Sequence, residues 1–192
     1  MDASRHIRTD ERFEALKSLE MVVESLRRVV VDPYRWKWAI LAMQNAVQAL
    51  IVVTISGTAG LGALRPDIEK KWLEAYESGT GDFPEEMKID CFPELYDRMK
   101  KKFSYTPDPT VDDSVKKVNL LRNKFVHFPP HSWSIGTGGL PRIFKDCLGV
   151  VVFLIAHMGE VTASEVGLID GLTNLHGEAV KLADEINSTY NL

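Results

Sequence analysis

Arg122-Asn123-Lys124-Phe125-Val126-His127 sets a guanidinium, an amide and an imidazole within two turns of any helix that carries them. An imidazole titrates at about pH 6.5, so it can accept or give up a proton under neutral conditions. A guanidinium is the side chain best shaped to grip two phosphate oxygens and to stabilise charge that develops on them. The pattern predicts a helix over 112–128, with Asp112 or Asp113 suited to cap it and Pro129-Pro130 to stop it. At roughly 100° per residue, Asn123 and His127 share one face, and Asn119 extends that stripe a turn earlier. Val118, Leu121, Phe125 and Phe128 fall on the other side, toward a core. Arg122 lies at the edge of this apolar stripe, roughly 140° from His127. Its side chain must curl round, or reach a ligand shared with a second subunit. Leu120 and Val126 flank the polar stripe, so this side of the helix is expected to meet a partner chain. A two-fold dimer through it would pair Arg122 of one protomer with His127 of its partner.

The remaining elements must hold that helix in place. Apolar residues at helical spacing predict helices over about 10–31 and 34–55, the second apolar nearly all round and hence the most buried. Short helices are expected over 66–77 and 92–103. Another begins at Leu140-Pro141 and runs to about Met158, with Gly159 ending it. A last one, capped by Thr162 or Ser164, reaches about Thr189. No β-alternation and no internal repeat is seen. The fold class expected is all-α: an up-and-down bundle of four or five long helices, one domain over 1–192, with 56–110 as an elaborated crossover between the second and third main helices.

The Arg122-Asn123-x-x-x-His127 pattern resembles the motif of HEPN domains, in which an arginine followed by a polar residue precedes a histidine by four to six residues. A bare spacing of this kind arises by chance about once in such a chain, but asparagine after the arginine at this one spacing lowers the chance to roughly a few per cent. Trp36-Lys37-Trp38-Ala39-Ile40-Leu41-Ala42 on an early buried helix, the motif on a late one and a closing helix after it are similar to that fold. The resemblance implies a metal-independent endoribonuclease without cofactor, acting as a toxin or defence protein and countered by an antitoxin. Arg122 and His127 would be catalytic. Asn123 would orient His127 or hold a phosphate oxygen. The expected product is a 2′,3′-cyclic phosphate, and DNA, which lacks the attacking hydroxyl, would be spared. Lys116, Lys124, His131 and Trp133 would bind the RNA. The family also contains catalytically silent bundles that bind RNA or protein, and this reading stays open.

Composition narrows the field. With 23 Lys and Arg against 27 Asp and Glu, the net charge of -4 argues against a general nucleic-acid coat protein, so RNA must meet a local patch. Two basic runs offer one: Arg98, Lys100, Lys101 and Lys102, then Lys116, Lys117, Arg122 and Lys124. They can equally be solvated helix faces. Cys91 and Cys147 have no metal-binding spacing and read as buried small hydrophobes in a reducing compartment. The charged start and the absence of a long uninterrupted apolar run lead us to expect a cytoplasmic protein outside the membrane. Ser56 to Gly62 lacks the Gly-Lys-Ser/Thr of a phosphate loop and reads as a connection. Bland alternatives accompany the motif: Arg122 could pair with Glu20 or Glu24, and His127 could bond a backbone carbonyl. Trp133 could stack a base or fold back on the core. Gln44, Asn45 and Gln48 could line the cleft or bond internally. His157 and His176 read as packing or surface residues.

Overall fold

A computed structural model describes residues 6–7, 9–57, 59–79, 81–128, 130–159 and 166–191. In chain order the helices are α1 (Glu11–Leu26), α2 (Arg35–Ser56), α3 (Pro66–Ser78), α4 (Phe92–Phe103), α5 (Pro109–His127), α6 (Leu140–Ala156) and α7 (Val166–Tyr190). Among the described residues the only β-type pairing is a lone antiparallel bridge, Leu64 to Ile89. The protein is all-α.

Helix α2 is the hub. Its apolar residues face every direction, and α1, α4, α5 and α6 all pack on it. Its length and hydropathy would suit a membrane span, but 72% of the apolar window is buried against other helices, which accounts for the composition. The long helices close a ring of neighbours, α1 to α2 to α5 to α6 to α7 and back to α1. Leu19, Ile40, Met43, Leu50, Phe144 and Leu148 fill its centre without solvent contact. Each such side chain contributes about 1.5–3 kcal/mol by leaving water. Trp36 pins the start of α2: its ring meets Phe144 edge-on at 5.1 Å, and its Nε1 donates to the Tyr190 hydroxyl at the end of α7, 3.1 Å away.

The crossover divides into two parts of different character. Helix α4 belongs to the core, with Phe92, Leu95, Tyr96 and Met99 buried against α2. Helix α3 packs broadly on no other helix. The excursion that carries it is closed at a neck, where Arg65 N–H donates to Lys88 O at 3.0 Å and Asp90 N–H to Ala63 O at 2.9 Å. Arg98 of α4 holds both sides of this neck, donating to Leu64 O at 2.7 Å, to Gly62 O at 3.3 Å and to the Asp90 carboxylate at 2.6 Å. Gly62 is required there: a Cβ would stand 2.1 Å from Ile55 O.

Cys147 is buried as expected, but Cys91, expected to be buried too, is exposed just before α4, and several helix boundaries depart from the sequence reading. Helix α1 ends at Leu26, and 27–31 tighten into turns. The β-branched run Val29-Val30-Val31 supports helix poorly, and the chain must reverse before Asp32-Pro33. Helix α5 starts at Pro109, earlier than expected. Its cap is Asp108, whose carboxylate accepts from Thr110 N–H at 2.9 Å, and Pro109 takes the first helical turn, where no N–H is needed. The Asp108 carboxyl is held below its ordinary range by the Thr110 amide and then by the Thr110 hydroxyl. Asp112, read as a cap, instead lies inside the first turns and joins α5 to α4. Thr162 and Ser164, expected to cap the last helix, and Pro129, expected to stop α5, lie outside the described residues.

Candidate functional site

Two neighbours clamp the first half of α5. On the α4 side, Tyr96 Oη donates to Asp112 at 2.9 Å, and Lys100 Nζ reaches the other oxygen of that carboxylate at 3.1 Å. Burial, then the hydrogen bond to Asp112, pushes the Tyr96 phenol far above its usual range. Burial of Lys100 opposes its charge, but the bonds to Asp112 and Asp97 outweigh that and raise its pKa. On the α6 side, Ser114 Oγ donates to Asp146 at 2.5 Å. Val115, Val118 and Leu121 then bury the inner stripe. The second half of α5, which carries the motif, is therefore aimed by a firmly seated first half.

Arg122 points toward the junction of α5 with α1 and α2. It lines an open depression of about 440 Å³ with Glu14, Lys17, Ser18, Met21, Trp38 and Val126 among its other walls. Its Nη1 donates to Asn123 Oδ1 at 3.1 Å. Among the described residues no carboxylate lies within ion-pair distance of it, and Glu20, one proposed partner, is taken by Lys17 at 2.8 Å. Gln44 and Asn45 line the same depression and also bond internally: Asn45 Nδ2 donates to Ser18 Oγ at 2.7 Å and Gln44 Nε2 to Gln48 Oε1 at 2.8 Å. Around Arg122, Trp38, Met21 and Val126 are 47%, 45% and 40% exposed and form the apolar part of a mixed rim.

His127 is the last residue of α5. Its ring is exposed and has no hydrogen-bond partner among the described residues. It does not line the Arg122 depression. Within one chain the two groups thus face different directions, as their roughly 140° separation around the helix requires. The motif's polar pair is Arg122 with Asn123.

Phe128 departs from the sequence reading. Spacing alone put it in the core with Leu121 and Phe125, yet it is 76% exposed. The helix stops one residue earlier, and Phe128 takes a left-handed conformation, φ 45° and ψ 79°. Glycine or asparagine usually fills such a position; a bulky residue there costs about 1–3 kcal/mol. The turn carries the ring outward to the wall of a second cleft.

That cleft, about 360 Å³, lies between the start of α2 and the end of α5. Tyr34, Trp36, Phe125, Phe128 and Trp133 line it together with Lys37 and Lys124. Trp133 both folds back on Phe125, with ring centroids 4.8 Å apart, and forms part of the wall. Lys124 Nζ stands 5.5 Å over the Trp133 ring; Lys37 Nζ is 4.9 Å from Trp38 and 5.9 Å from Phe125. Of the residues expected to bind RNA, the structure brings Lys124 and Trp133 together. His131 is exposed but does not line this cleft, and Lys116 is two turns back along α5, within 3.9 Å of Asp113. Tyr34 and Lys37 were missed by the sequence reading because they join the wall from the cap and first turn of α2, far away in the chain.

The basic run on α4 proves mostly structural. Arg98 ties the neck of the crossover, Lys100 binds Asp112 and Asp97, and Lys102 Nζ donates to Thr54 O at 2.9 Å at the end of α2. His176 Nε2 lies 3.1 Å from Leu148 O, a packing role as expected, and burial lowers its pKa against the opposing effect of that bond. His157 bonds Phe153 O at 2.7 Å and packs on the Phe103 and Phe153 rings. Comparison of the chain with protein-family models, with curated proteins and with solved structures found no match.

Proposed function

We propose that this protein is a HEPN-like endoribonuclease whose site is completed by a second copy of the chain. The observation that carries the reading is that Arg122 and His127 lie on one firmly seated helix with neither paired to an acidic group among the described residues, while exposed Met21, Trp38 and Val126 share the rim beside the arginine. A guanidinium at such a rim is suited to be covered by a partner that brings its own ligand. Two α5 helices related by a two-fold axis would set Arg122 of one protomer beside His127 of its partner.

In that arrangement the His127 imidazole takes the proton of a ribose 2′-hydroxyl. The freed oxygen attacks the adjacent phosphorus, and the bond from phosphorus to the 5′ oxygen breaks. The 5′ oxygen leaves as a hydroxyl after taking a proton from the imidazolium. The products are a 2′,3′-cyclic phosphate and a 5′-hydroxyl end. Arg122 holds the non-bridging oxygens as charge builds on them, and Asn123, already bonded to the guanidinium, fixes its direction. A role as a toxin or defence protein held by an antitoxin fits a chain whose activity depends on assembly.

Cleavage of single-stranded RNA by wild type, His127→Ala and Arg122→Ala tests this. Each substitution should lower the rate by about a hundredfold or more, leave a circular-dichroism spectrum unchanged, and spare the dimer seen by light scattering. The all-deoxy strand should stay intact. Wild type that leaves RNA whole, or His127→Ala that cuts as fast, ends the enzymatic reading. A silent RNA-binding module would then stand in its place, favoured by the aromatic cleft, which needs no catalysis.

A further inference from the structure

We propose that the cleft between the start of α2 and the end of α5 holds one nucleotide of single-stranded RNA, its base stacked on aromatic rings and its phosphate held by Lys37 and Lys124. This deepens the ribonuclease reading by giving it a base subsite, and it rests on that reading only for the identity of the strand as RNA.

Three observations converge. The walls are aromatic: Tyr34 and Phe128, 72% and 76% exposed, line the cleft together with the half-buried Phe125 and Trp133. A base offers a π-face of matching shape whatever its identity, so such walls select nucleotides without selecting sequence. The charge is one-sided. No carboxylate lines the cleft, and among the described residues neither the Lys37 nor the Lys124 ammonium has an acidic partner within ion-pair distance; both rest over rings instead. In a chain of net charge -4 that local excess of cation is what a phosphate would need. The third is the backbone. Phe128 stays exposed at φ 45°, where glycine would be easier, so the chain holds an aromatic ring outward against its conformational preference.

The test is equilibrium binding of a labelled single-stranded oligoadenylate, followed by fluorescence anisotropy at low salt. It is run on the full chain carrying His127→Ala so that no cleavage intervenes. Phe128→Ala and Lys37→Gln are added singly to that background; both sites are accessible, and thermal denaturation confirms that the variants fold. Each should weaken binding by about tenfold. Raising the salt should reduce affinity less steeply in Lys37→Gln. A duplex RNA, whose bases are already stacked, should compete poorly. Absence of binding, or binding that neither substitution alters, overturns the cleft assignment even if wild type cuts RNA. Binding that depends on both residues upholds it even if wild type cuts nothing.

Discussion

Replacing Tyr96 with phenylalanine isolates the contact that seats the motif helix. The substitution keeps the buried ring, its stacking on Phe92 at 6.4 Å and the Lys100 ammonium 4.8 Å from its centroid. It removes one hydroxyl, which donates to Asp112 at 2.9 Å. A hydrogen bond to a charged acceptor contributes about 1.5–3 kcal/mol. Asp112 retains Lys100 at 3.1 Å, and its side chain is 25% exposed, so water can replace part of the loss. The expected cost is therefore toward the lower end, about 1–2 kcal/mol. For a chain of this length that lowers Tm by about 2–8 °C. Thermal denaturation at neutral pH reads it directly, and a cycle with Asp112→Asn isolates the pair, with coupling of about 1 kcal/mol expected. The same bond has an alkaline signature. The folded protein holds the Tyr96 phenol neutral, whereas the unfolded chain ionises it at about pH 10. Its contribution is present below that pH and is lost as pH rises above it. Tyr96→Phe should thus lose less stability than wild type in strong alkali. Coupling near zero, or equal alkaline sensitivity, would refute the claim that Asp112 is a joint between α4 and α5.

Other outcomes follow from packing and charge. Leu95→Ala should cost about 2–5 kcal/mol in urea denaturation, because this α4 residue has no exposed surface; a cost near zero would return α4 to the status of a peripheral insertion. Gly62→Ala should destabilise by about 1–3 kcal/mol, since its Cβ would press on backbone at Ile55. Gly171→Ala meets only the end of Leu16, at 3.0 Å, and should be tolerated or slightly stabilising by gaining helix propensity; the two Tm values give the comparison. Burial holds His176 below its ordinary pKa, so the folded state resists its protonation and stability falls as pH drops below about 6.5. His176→Gln should flatten the decline in Tm between about pH 7 and about pH 5; an unchanged slope would place that acid sensitivity elsewhere.

Periodicity carried most of the fold. The all-round apolar character of α2 correctly marked it as heavily buried, and the limits expected for α4, 92–103, are the ones observed. The start of α5 was misread because Asp112 looks like a cap in isolation. The better signal was Asp108-Pro109, a capping side chain followed by a residue that fits the first helical turn. Phe128 was misread for a different reason: a seven-residue spacing from Leu121 implies the same face only while the helix continues, and the overlooked signal is that Phe128 precedes Pro129 in the sequence, a position where helical backbone is disfavoured. The Arg122 to His127 motif was visible as residue types. What spacing could not show is that Tyr34 and Lys37 come from another helix to build a wall beside it, because only packing brings those segments together.

Arg98 has a consequence for how this chain can change. By clasping Leu64 and Gly62 on one side and Asp90 on the other, it fixes the entry and exit of the α3 excursion irrespective of what lies between them. Residues 65–89 should therefore tolerate exchange as a unit, within which the Trp72 and Phe83 rings meet at 4.8 Å. Shortening, lengthening or swapping that cassette should leave the helical ring standing, whereas losing the clasp would cut loose a segment whose contents are otherwise intact.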